Sequence, residues 1–359
     1  MKNYFLKATL LILSICLLSI GCRNEKDAPI QIETEIYKEM TLDEEASNRL
    51  FMLYPTASAS KKEELIALTN FRNPPAVTLI DYDGNFVEQV GSEGRGPKEY
   101  QLAIQLGFDS DDNIIVRDNM LALIKRFIRK DNSVEAYDDV IKESINIASR
   151  NLEQCGDKWY LGINKYEQSP FEKKETIGVF DNEFNLLKSF GNFDLFFEGR
   201  KSVLEDPIIV TDCENQLIFT THYKVPFLQV YSFEDYSKVK RIDHIPPSFN
   251  LSDKFKSMVT DRQAHTDYLV NEQSMSILLA LNEKYLYHFF RNEAPDFQET
   301  LDLLSRDFYV AVYSRDDYSF IGEKKINGVP LGTTKEDYII MLKDNNPLKI
   351  QLVEIAPKE

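Results

Sequence analysis

The chain has 359 residues, of which 43% are hydrophobic, and a formal net charge of −16 at pH 7. An acidic surface of this kind repels nucleic acid and anionic lipid headgroups, so the composition excludes a nucleic-acid partner and a basic membrane-binding patch. The length would allow two domains, but one pattern of short strands recurs along it.

The N-terminus has the pattern of a lipoprotein signal peptide. Lys2 and Lys7 flank an apolar run, 8–20, that is too short for a permanent membrane span. It ends at Ser19-Ile20-Gly21-Cys22, where a small residue precedes a cysteine, as lipoprotein signal peptidase requires. An ordinary signal peptide is the alternative. The pattern predicts a lipoprotein anchored to the outer membrane of the cell envelope, with a signal peptide over 1–21, a tether lipidated at Cys22 over 22–29 and a folded domain over 30–359.

Two of the four cysteines remain in the predicted domain, namely Cys155 and Cys213. They match no zinc or redox spacing, although an exported chain can form disulfides. They fall at equivalent places in neighbouring repeat units, so we expect them to lie too far apart to bridge. A Cys155–Cys213 disulfide is the less favoured alternative.

Short segments rich in Val, Ile, Tyr and Phe follow one another, and polar turns separate them. The first four of these turns lie about 50 residues apart, a spacing typical of four-stranded propeller blades. The recurring turns are Tyr82–Asn85, Arg129–Ser133, Phe180–Glu183, Ser232–Asp235, Ser314–Asp317 and Lys343–Asn346.

The clearest repeat unit is a predicted meander of four strands, and the chain contains about six such units. The last unit lacks strands at the C-terminus, whereas extended segments at Ile30–Tyr37 and Glu64–Leu68 precede the first. Strands from both termini could therefore close a ring and remove its exposed edges. We predict an all-β chain, a six-bladed β-propeller of four-stranded antiparallel blades closed by strands from both termini. A β-sandwich or a solenoid is the alternative.

One unit carries a recognisable motif. The residues Gly91-Ser92-Glu93-Gly94-Arg95-Gly96-Pro97-Lys98-Glu99-Tyr100, followed by Gly107 to Asp118, resemble an NHL-type repeat. Asp112 replaces the usual turn glycine and Tyr100 the usual phenylalanine. With the lipidation signal, the chain resembles the exported six-bladed β-propeller lipoproteins of Gram-negative bacteria, also described as TolB-like. The resemblance implies the fold over 30–356 and no particular ligand.

In a propeller, interblade loops and loops between second and third strands share one face. Several of these loops are long here, which favours a binding role. The loops expected on this face are 91–101, 165–175, 191–206, 223–226, 246–273 and 291–306. The candidate ligand-binding residues on this face are Arg95, Lys98, Tyr100, Arg117, Arg200, His222, Tyr223 and Arg291. Structural roles for Arg95, Tyr100 and His222 are the alternative. We also predict short helices over 250–264 and 297–304, which would pack on the loop face or cover it as a lid.

No catalytic motif is present in the sequence. No serine sits in a G-x-S-x-G elbow, no phosphate-binding loop occurs, and the histidines lack metal-ligand spacing. We therefore expect no metal and no cofactor. Calcium is the alternative, and turn formation is the simpler role for its closest candidate ligands, which are Asp109, Asp111, Asp206 and Asp212.

These observations favour a binding or interaction module in the envelope. Its expected partners are the membrane, through the lipid at Cys22, and a peptide, glycan or partner protein at the loop face. The alternative is a metal-dependent propeller hydrolase, lactonase or lyase with a carboxylate-lined channel.

Overall fold

Alternation of apolar and polar residues produces short strands, which pair as six antiparallel blades. The structure is a computed structural model. It describes residues 30–49, 56–70, 76–130, 133–142, 146–147, 151–164, 175–194, 206–252, 268, 272–294, 300 and 302–358. The predicted signal peptide, Cys22 and the tether lie outside these residues.

The strands follow the chain from blade 1 to blade 6, with β1 as the exception. Strand β1 (Ile32–Thr41) belongs to blade 6 and is followed by the short helix α1 (Glu44–Arg49). Blade 1 contains β2 (Ala57–Ala59), β3 (Leu65–Asn70), β4 (Ala76–Asp81) and β5 (Phe86–Val90). The next loop holds the parallel pair β6 (Ser92–Glu93) and β7 (Glu99–Tyr100). Blade 2 contains β8 (Ala103–Phe108), β9 (Ile114–Asp118), β10 (Leu123–Lys130) and β11 (Ser133–Lys142).

Blade 3 differs in its inner position, which two short strands share. It contains β12 (Asn146–Ile147), β13 (Glu153–Cys155), β14 (Lys158–Asn164), β15 (Ile177–Phe180) and β16 (Leu186–Phe190). Blade 4 contains β17 (Pro207–Asp212), β18 (Leu217–His222), β19 (Leu228–Ser232) and β20 (Lys238–Ile242). Blade 5 contains β21 (Met275–Leu281), β22 (Tyr285–Asn292), β23 (Asp307–Ser314) and β24 (Phe320–Ile326). Blade 6 contains β25 (Val329–Thr333), β26 (Ile339–Asn345), β27 (Leu348–Pro357) and β1.

The inner strands of the blades stand around one axis. Strand β2 contacts both β8 and β25, and β21 contacts both β17 and β25, so the sixth blade returns to the first. Apolar clusters fill the spaces between neighbouring blades. One of them joins blades 1 and 2 through Leu79, Tyr100 and Phe127, and another joins blades 2 and 3 through Ile115 and Trp159. The predicted six-bladed propeller is therefore confirmed.

The N-terminal strand closes the ring. Strand β1 pairs with β27 from Ile32 opposite Pro357 to Thr41 opposite Lys349, and it supplies the outer strand of blade 6. The predicted closure by both termini is confirmed for this segment. The second predicted closing segment, 64–68, lies mostly within β3 of blade 1. It pairs inside that blade because β2 occupies the inner position.

Asparagine and aspartate form the turns in a repeated way. Asp81, Asp109 and Asp181 each accept hydrogen bonds from backbone amides two and four residues later. Asp112, which replaces the turn glycine of the repeat motif, adopts a positive φ of 70°. Its carboxylate accepts hydrogen bonds from the Ser60 hydroxyl and the Lys61 amide, and these contacts help to hold a conformation that usually favours glycine.

The structure contains a disulfide between Cys155 and Cys213, with a Cα–Cα distance of 5.6 Å. Our expectation that the two cysteines lie too far apart was wrong. They do occupy equivalent places in neighbouring blades, because Cys155 ends β13 and Cys213 follows β17. These are inner strands, however, and inner strands converge at the axis. The bond therefore joins blades 3 and 4.

Helices are rare among the described residues. The predicted helix over 250–264 lies mostly outside them. Of the predicted segment 297–304, the structure shows a short 3-10 helix, Leu303–Ser305, capped by the Asp302 carboxylate. The short helix α1 was not predicted. The part of the chain that the structure describes contains no helix long and apolar enough to cross a bilayer.

Candidate functional site

The inner strands enclose a central channel with a cavity of about 800 Å³. The two ends of the channel are formed by different loops and turns. The upper face is defined by the interblade loop 91–101 and by the second-to-third-strand loop 223–227, and the lower face by the turns 60–64, 109–113 and 213–216. The predicted loop face is the upper face. A cavity of this size fits a small-molecule ligand or the end of a longer chain.

Two arginines line the upper part of the cavity. Arg117 is near the end of β9 in blade 2, and Arg291 is near the end of β22 in blade 5, so they come from opposite sides of the six-membered ring. Their residues are 2% and 7% exposed. The prediction from sequence named both, and the structure brings them to the same cavity.

Each of these arginines is held by neighbouring polar groups. Arg117 donates from Nη1 to Oε1 of Gln105 over 3.1 Å. Arg291 donates from Nη2 to the Tyr223 hydroxyl over 3.0 Å, and the same atom lies 2.9 Å from Oε1 of Glu293. Tyr223, another predicted site residue, is therefore hydrogen-bonded to Arg291.

Glu293 also binds a third arginine and so links it to Arg291. Its Oε2 accepts a hydrogen bond from Nε of Arg306 over 2.8 Å, and both side chains are buried. Burial and the nearby Arg291 charge together lower the pKa of Arg306 to about 10, although the Glu293 carboxylate opposes the shift. Our sequence prediction missed Glu293, Arg306 and Gln105. The sequence gave one usable signal, because residues two positions apart, such as 291 at the end of β22 and 293 just after it, point to the same side of an extended chain.

The lower end of the channel has the opposite charge. Asp212, Glu214, Glu283 and Asp337 line it together with Arg315. Arg315 bonds both carboxylate oxygens of Asp212, over 2.7 and 2.8 Å. Burial raises the pKa of Asp337, and the neighbouring Glu283 charge adds to this effect.

Glu153 is a further carboxylate of the channel wall that the sequence did not indicate. It accepts hydrogen bonds from Asn151 over 2.6 Å and from the Thr211 hydroxyl over 3.3 Å. Burial raises its pKa, although these hydrogen bonds and the charge of Lys61 oppose the shift. A carboxyl group with this environment could hold or release a proton inside the cavity.

The glycine-rich loop on the upper face is held by structural contacts. Tyr100 is fully buried, accepts a hydrogen bond from the Val77 amide over 2.7 Å and donates one to the Val90 carbonyl. Its side chain therefore packs between blades 1 and 2 and is not presented to a ligand. Arg95 and Lys98 are exposed on the same loop, and neither lines the channel.

Glutamate Glu99 organises the backbone of this loop. Its Oε2 accepts hydrogen bonds from the Arg95 and Gly96 amides, each over 2.8 Å. A Cβ at Gly94 would collide with this carboxylate, and φ there is 152°. Glycine is favoured at this position because this φ lies in a region that L side chains rarely adopt.

The two remaining predicted site residues are His222 and Arg200. His222 ends β18, is buried and lies against the Phe193 ring with a centroid distance of 5.2 Å. It does not line the channel. Burial lowers the pKa of His222 to about 4, and Asp194 opposes this only in part. Arg200 lies outside the described residues.

The burial of His222 makes the fold sensitive to acid. An unfolded histidine has a pKa of about 6.5, so between pH 6.5 and 4 the unfolded chain binds more protons than the folded chain. The contribution of His222 to stability is complete above this range and should fall by about 3 kcal/mol across it as the pH drops. A His222→Phe variant should lose less stability between pH 7.5 and 4.5 in urea unfolding. An equal loss in variant and wild type would contradict this assignment.

The candidate calcium ligands have other partners. Asp109 forms the turn with Asn113 and lies 3.4 Å from Arg126. Asp212 binds Arg315 and the Asn215 amide. Asp111 donates its amide to Asp109, and Asp206 lines the channel. In the described ranges, no three His, Cys, Asp or Glu residues are grouped so that they could hold a metal ion.

The fold is similar to that of two solved structures. A member of the DUF4221 family from Bacteroides vulgatus has a TM-score of 0.60 and 12% identity, covering 92% of this chain and 100% of that chain. A candidate exported protein from Bacteroides fragilis has a TM-score of 0.61 and 12% identity, covering 93% of this chain and 98% of that chain. No family model and no curated protein matches this chain. At this level of identity, the similarity shows the propeller fold alone.

Proposed function

We propose that this chain is an exported, lipid-anchored binding module of the cell envelope, which takes a ligand into the upper end of its central channel. The ligand is a small molecule or the end of a peptide, glycan or partner protein. The observation that carries the proposal is the cavity of about 800 Å³, into which opposite blades place Arg117 and Arg291. Concave sites with a few convergent polar groups are typical of ligand binding.

Export has three supports. The N-terminal residues have the lipoprotein pattern ending at Cys22. The Cys155–Cys213 disulfide fits an oxidising compartment outside the cytoplasm. One structurally similar protein is itself named as a candidate exported protein. The finer assignment, an anchor in the outer membrane at Cys22, belongs to the same proposal.

The path of β1 gives this module an orientation. Ile32 begins β1 at the lower face, opposite Pro357, and Thr41 ends it at the upper face. A lipid on Cys22 would be joined to the lower end of the ring by about ten residues, which span at most roughly 35 Å. The upper face would then be directed away from the membrane, where an incoming ligand meets it.

A variant with a filled channel tests this function. Ser58 lines the cavity from the innermost strand of blade 1 and is half-buried, so Ser58→Trp should fill the channel and abolish ligand binding. Ser110→Trp is the matched control, because Ser110 is exposed and does not line the cavity. The three proteins are incubated with solubilised envelope extract and examined by native mass spectrometry.

We expect the same bound mass on the wild type and on Ser110→Trp, and none on Ser58→Trp. The proposal fails if Ser58→Trp keeps the ligand, or if no protein acquires a bound mass. Folding of each variant is checked by circular dichroism.

A second function, metal-dependent hydrolysis or lyase chemistry, has one favourable observation. Glu153 lines the cavity, and burial raises the pKa of its carboxyl group. A carboxyl with a raised pKa can act as a general acid. Turnover of a lactone or ester that stops when divalent cations are removed and in a Glu153→Gln variant would favour this function over binding alone.

A further inference from the structure

The disulfide between blades 3 and 4 is open to solvent on one side. Cys213 is exposed and Cys155 is half-buried, and both line a surface pocket. The stacked rings of Tyr160 and Phe233, whose centroids are 4.7 Å apart, line the same pocket. Apart from its chain neighbours, no described atom lies within 4 Å of the position that a Cβ would take at Gly156. A small molecule can therefore reach the two sulfur atoms without opening the fold.

The hairpin that carries Cys155 places a cation beside the bond. Cys155 ends β13 and is the cross-strand partner of Lys158, which begins β14. Directly opposite residues of an antiparallel pair have their side chains on the same face, and Lys158 lines the same pocket. Lys158 takes part in no ion pair among the residues that the structure describes. An ammonium group in this place favours the thiolate of Cys155 over its thiol once the disulfide is broken.

A disulfide in these surroundings can exchange with an external thiol. The thiolate of a small thiol attacks Sγ of Cys213, the more exposed sulfur, and forms a mixed disulfide. The bond between the two protein sulfurs breaks, and Cys155 leaves as a thiolate beside the Lys158 ammonium. A second small thiolate then attacks the sulfur of the first, which releases a small disulfide and leaves Cys213 as a thiolate. Two small thiols lose two electrons in all, the protein disulfide gains them, and the two thiol protons reach the cysteines through the solvent.

The same bond holds a thinly connected part of the channel wall. Strand β13 has three residues and shares the inner position of blade 3 with β12, which has two. The Asn151 amide also joins the two blades, since it donates to the Ile209 carbonyl over 2.6 Å. The Thr211 hydroxyl donates to the Glu153 carboxylate over a longer 3.3 Å. Because Asn151, Glu153 and Cys213 all line the central cavity, reduction would loosen a stretch of wall that faces the ligand space.

We propose that the surface pocket is a thiol–disulfide exchange site, at which a small thiol breaks the Cys155–Cys213 bond and loosens the channel wall between blades 3 and 4. The channel then has two states. In the oxidised state β13 is fixed to blade 4, and in the reduced state it is released at its lower end. This inference goes beyond the binding function, and no ligand is used in its tests.

The kinetics of reduction in the folded chain test the exchange site. The probe is 2-mercaptoethanol, a small neutral thiol, and the reaction is quenched with N-ethylmaleimide and analysed by mass spectrometry. We expect the rate to rise in proportion to the thiol concentration. The first product should carry the probe on Cys213 and maleimide on Cys155. The inference is wrong if the rate levels off at the rate of global unfolding, or if the probe is found first on Cys155.

Three lysine variants test the cation beside the bond. Lys158→Met should slow reduction about fivefold, because the departing thiolate loses the nearby ammonium. Lys158→Arg keeps the positive charge and should react at the wild-type rate. Lys188→Met is the matched control, because Lys188 is exposed on the same blade and does not line the pocket. It should also react like the wild type. Equal rates for Lys158→Met and the wild type would overturn the site as proposed.

Hydrogen exchange detected by mass spectrometry measures the state of the wall. At exchange times too short for global unfolding, amides of residues 151–155 and 207–213 should exchange about tenfold faster in the reduced chain than in the oxidised one. Strand β3 of blade 1 is the control and should exchange alike in both. Unchanged rates in the two wall segments would refute the loosening. Such a failure is separate from a failure of the binding function, which is tested in the oxidised chain with Ser58→Trp.

Discussion

Replacing Cys155 and Cys213 together with serine is expected to lower the free energy of unfolding by about 4 kcal/mol. The two cysteines are 58 residues apart in sequence, so the bond removes much of the freedom of the unfolded chain. It also links the lower ends of two inner strands, where blades 3 and 4 meet. Urea unfolding of the wild type and the double variant under oxidising conditions measures the difference.

Reductant provides the control for this prediction. Cys213 is exposed and Cys155 is half-buried, so a thiol reagent should reach the bond in the folded chain. Reduced wild type should then unfold at the same urea concentration as the double variant, and the double variant should not respond to reductant. If the double variant unfolds with the wild-type midpoint, the bond does not stabilise the ring.

Replacing Asp212 with alanine is expected to cost about 3 kcal/mol, because it leaves the Arg315 guanidinium partly buried without its main counter-charge. The Asp212 side chain is 1% exposed and that of Arg315 is 12% exposed. Their bond connects the end of β17 to the end of β23, and therefore blade 4 to blade 5. Arg315 also donates to the Asn282 carbonyl over 2.9 Å, which should limit the loss.

A surface ion pair supplies the comparison. Lys325 and Asp307 are 2.7 Å apart with side chains 59% and 48% exposed, so Asp307→Ala should cost less than about 1 kcal/mol. Equal effects of the two alanine variants would contradict the role given to Asp212. The double variant Asp212→Leu, Arg315→Met should recover part of the loss, because no charge is then left buried.

The pH dependence of the same pair has a defined sign. Burial tends to raise the pKa of Asp212, but the hydrogen bonds from Arg315 and Asn215 outweigh it and hold the pKa below its usual value of 3.8. The stabilisation is complete above that value and is lost as the pH falls through the lower, folded-state pKa. The difference between wild type and Asp212→Ala should therefore shrink in strong acid.

The sequence predicted the blades well because each strand and turn is specified locally. Alternation identified segments such as Leu217–Thr221 and Ile350–Ile355, which lie within β18 and β27. Aspartate turns marked where strands end, as at Asp181. The short strands β12 and β13 gave almost no periodic signal, because two or three residues are too few to show alternation.

The channel was harder to predict because its residues come together from different blades. Arg291 and Glu293 are only two positions apart in sequence, but Arg117 lines the same cavity as Arg291 from 174 positions away, a separation that no spacing rule covers. For Tyr100 the sequence analysis made the opposite error, because it assigned to the binding site a residue that the structure buries. It belongs to a polar, glycine-rich loop, yet its ring fills the gap between two blades, and a local pattern does not reveal such long-range burial.

The closing strand also determines how the ring would respond to force. Any pull on the N-terminal segment first meets residues 30 and 31, which hydrogen-bond to Ile321 and Lys358. It then acts along β1, parallel to the ladder that β1 forms with β27. Such a load is shared by the whole ladder in shear instead of opening one pair at a time. A domain attached in this way can resist tension through the β1–β27 ladder, and blade 6 is where mechanical unfolding would begin.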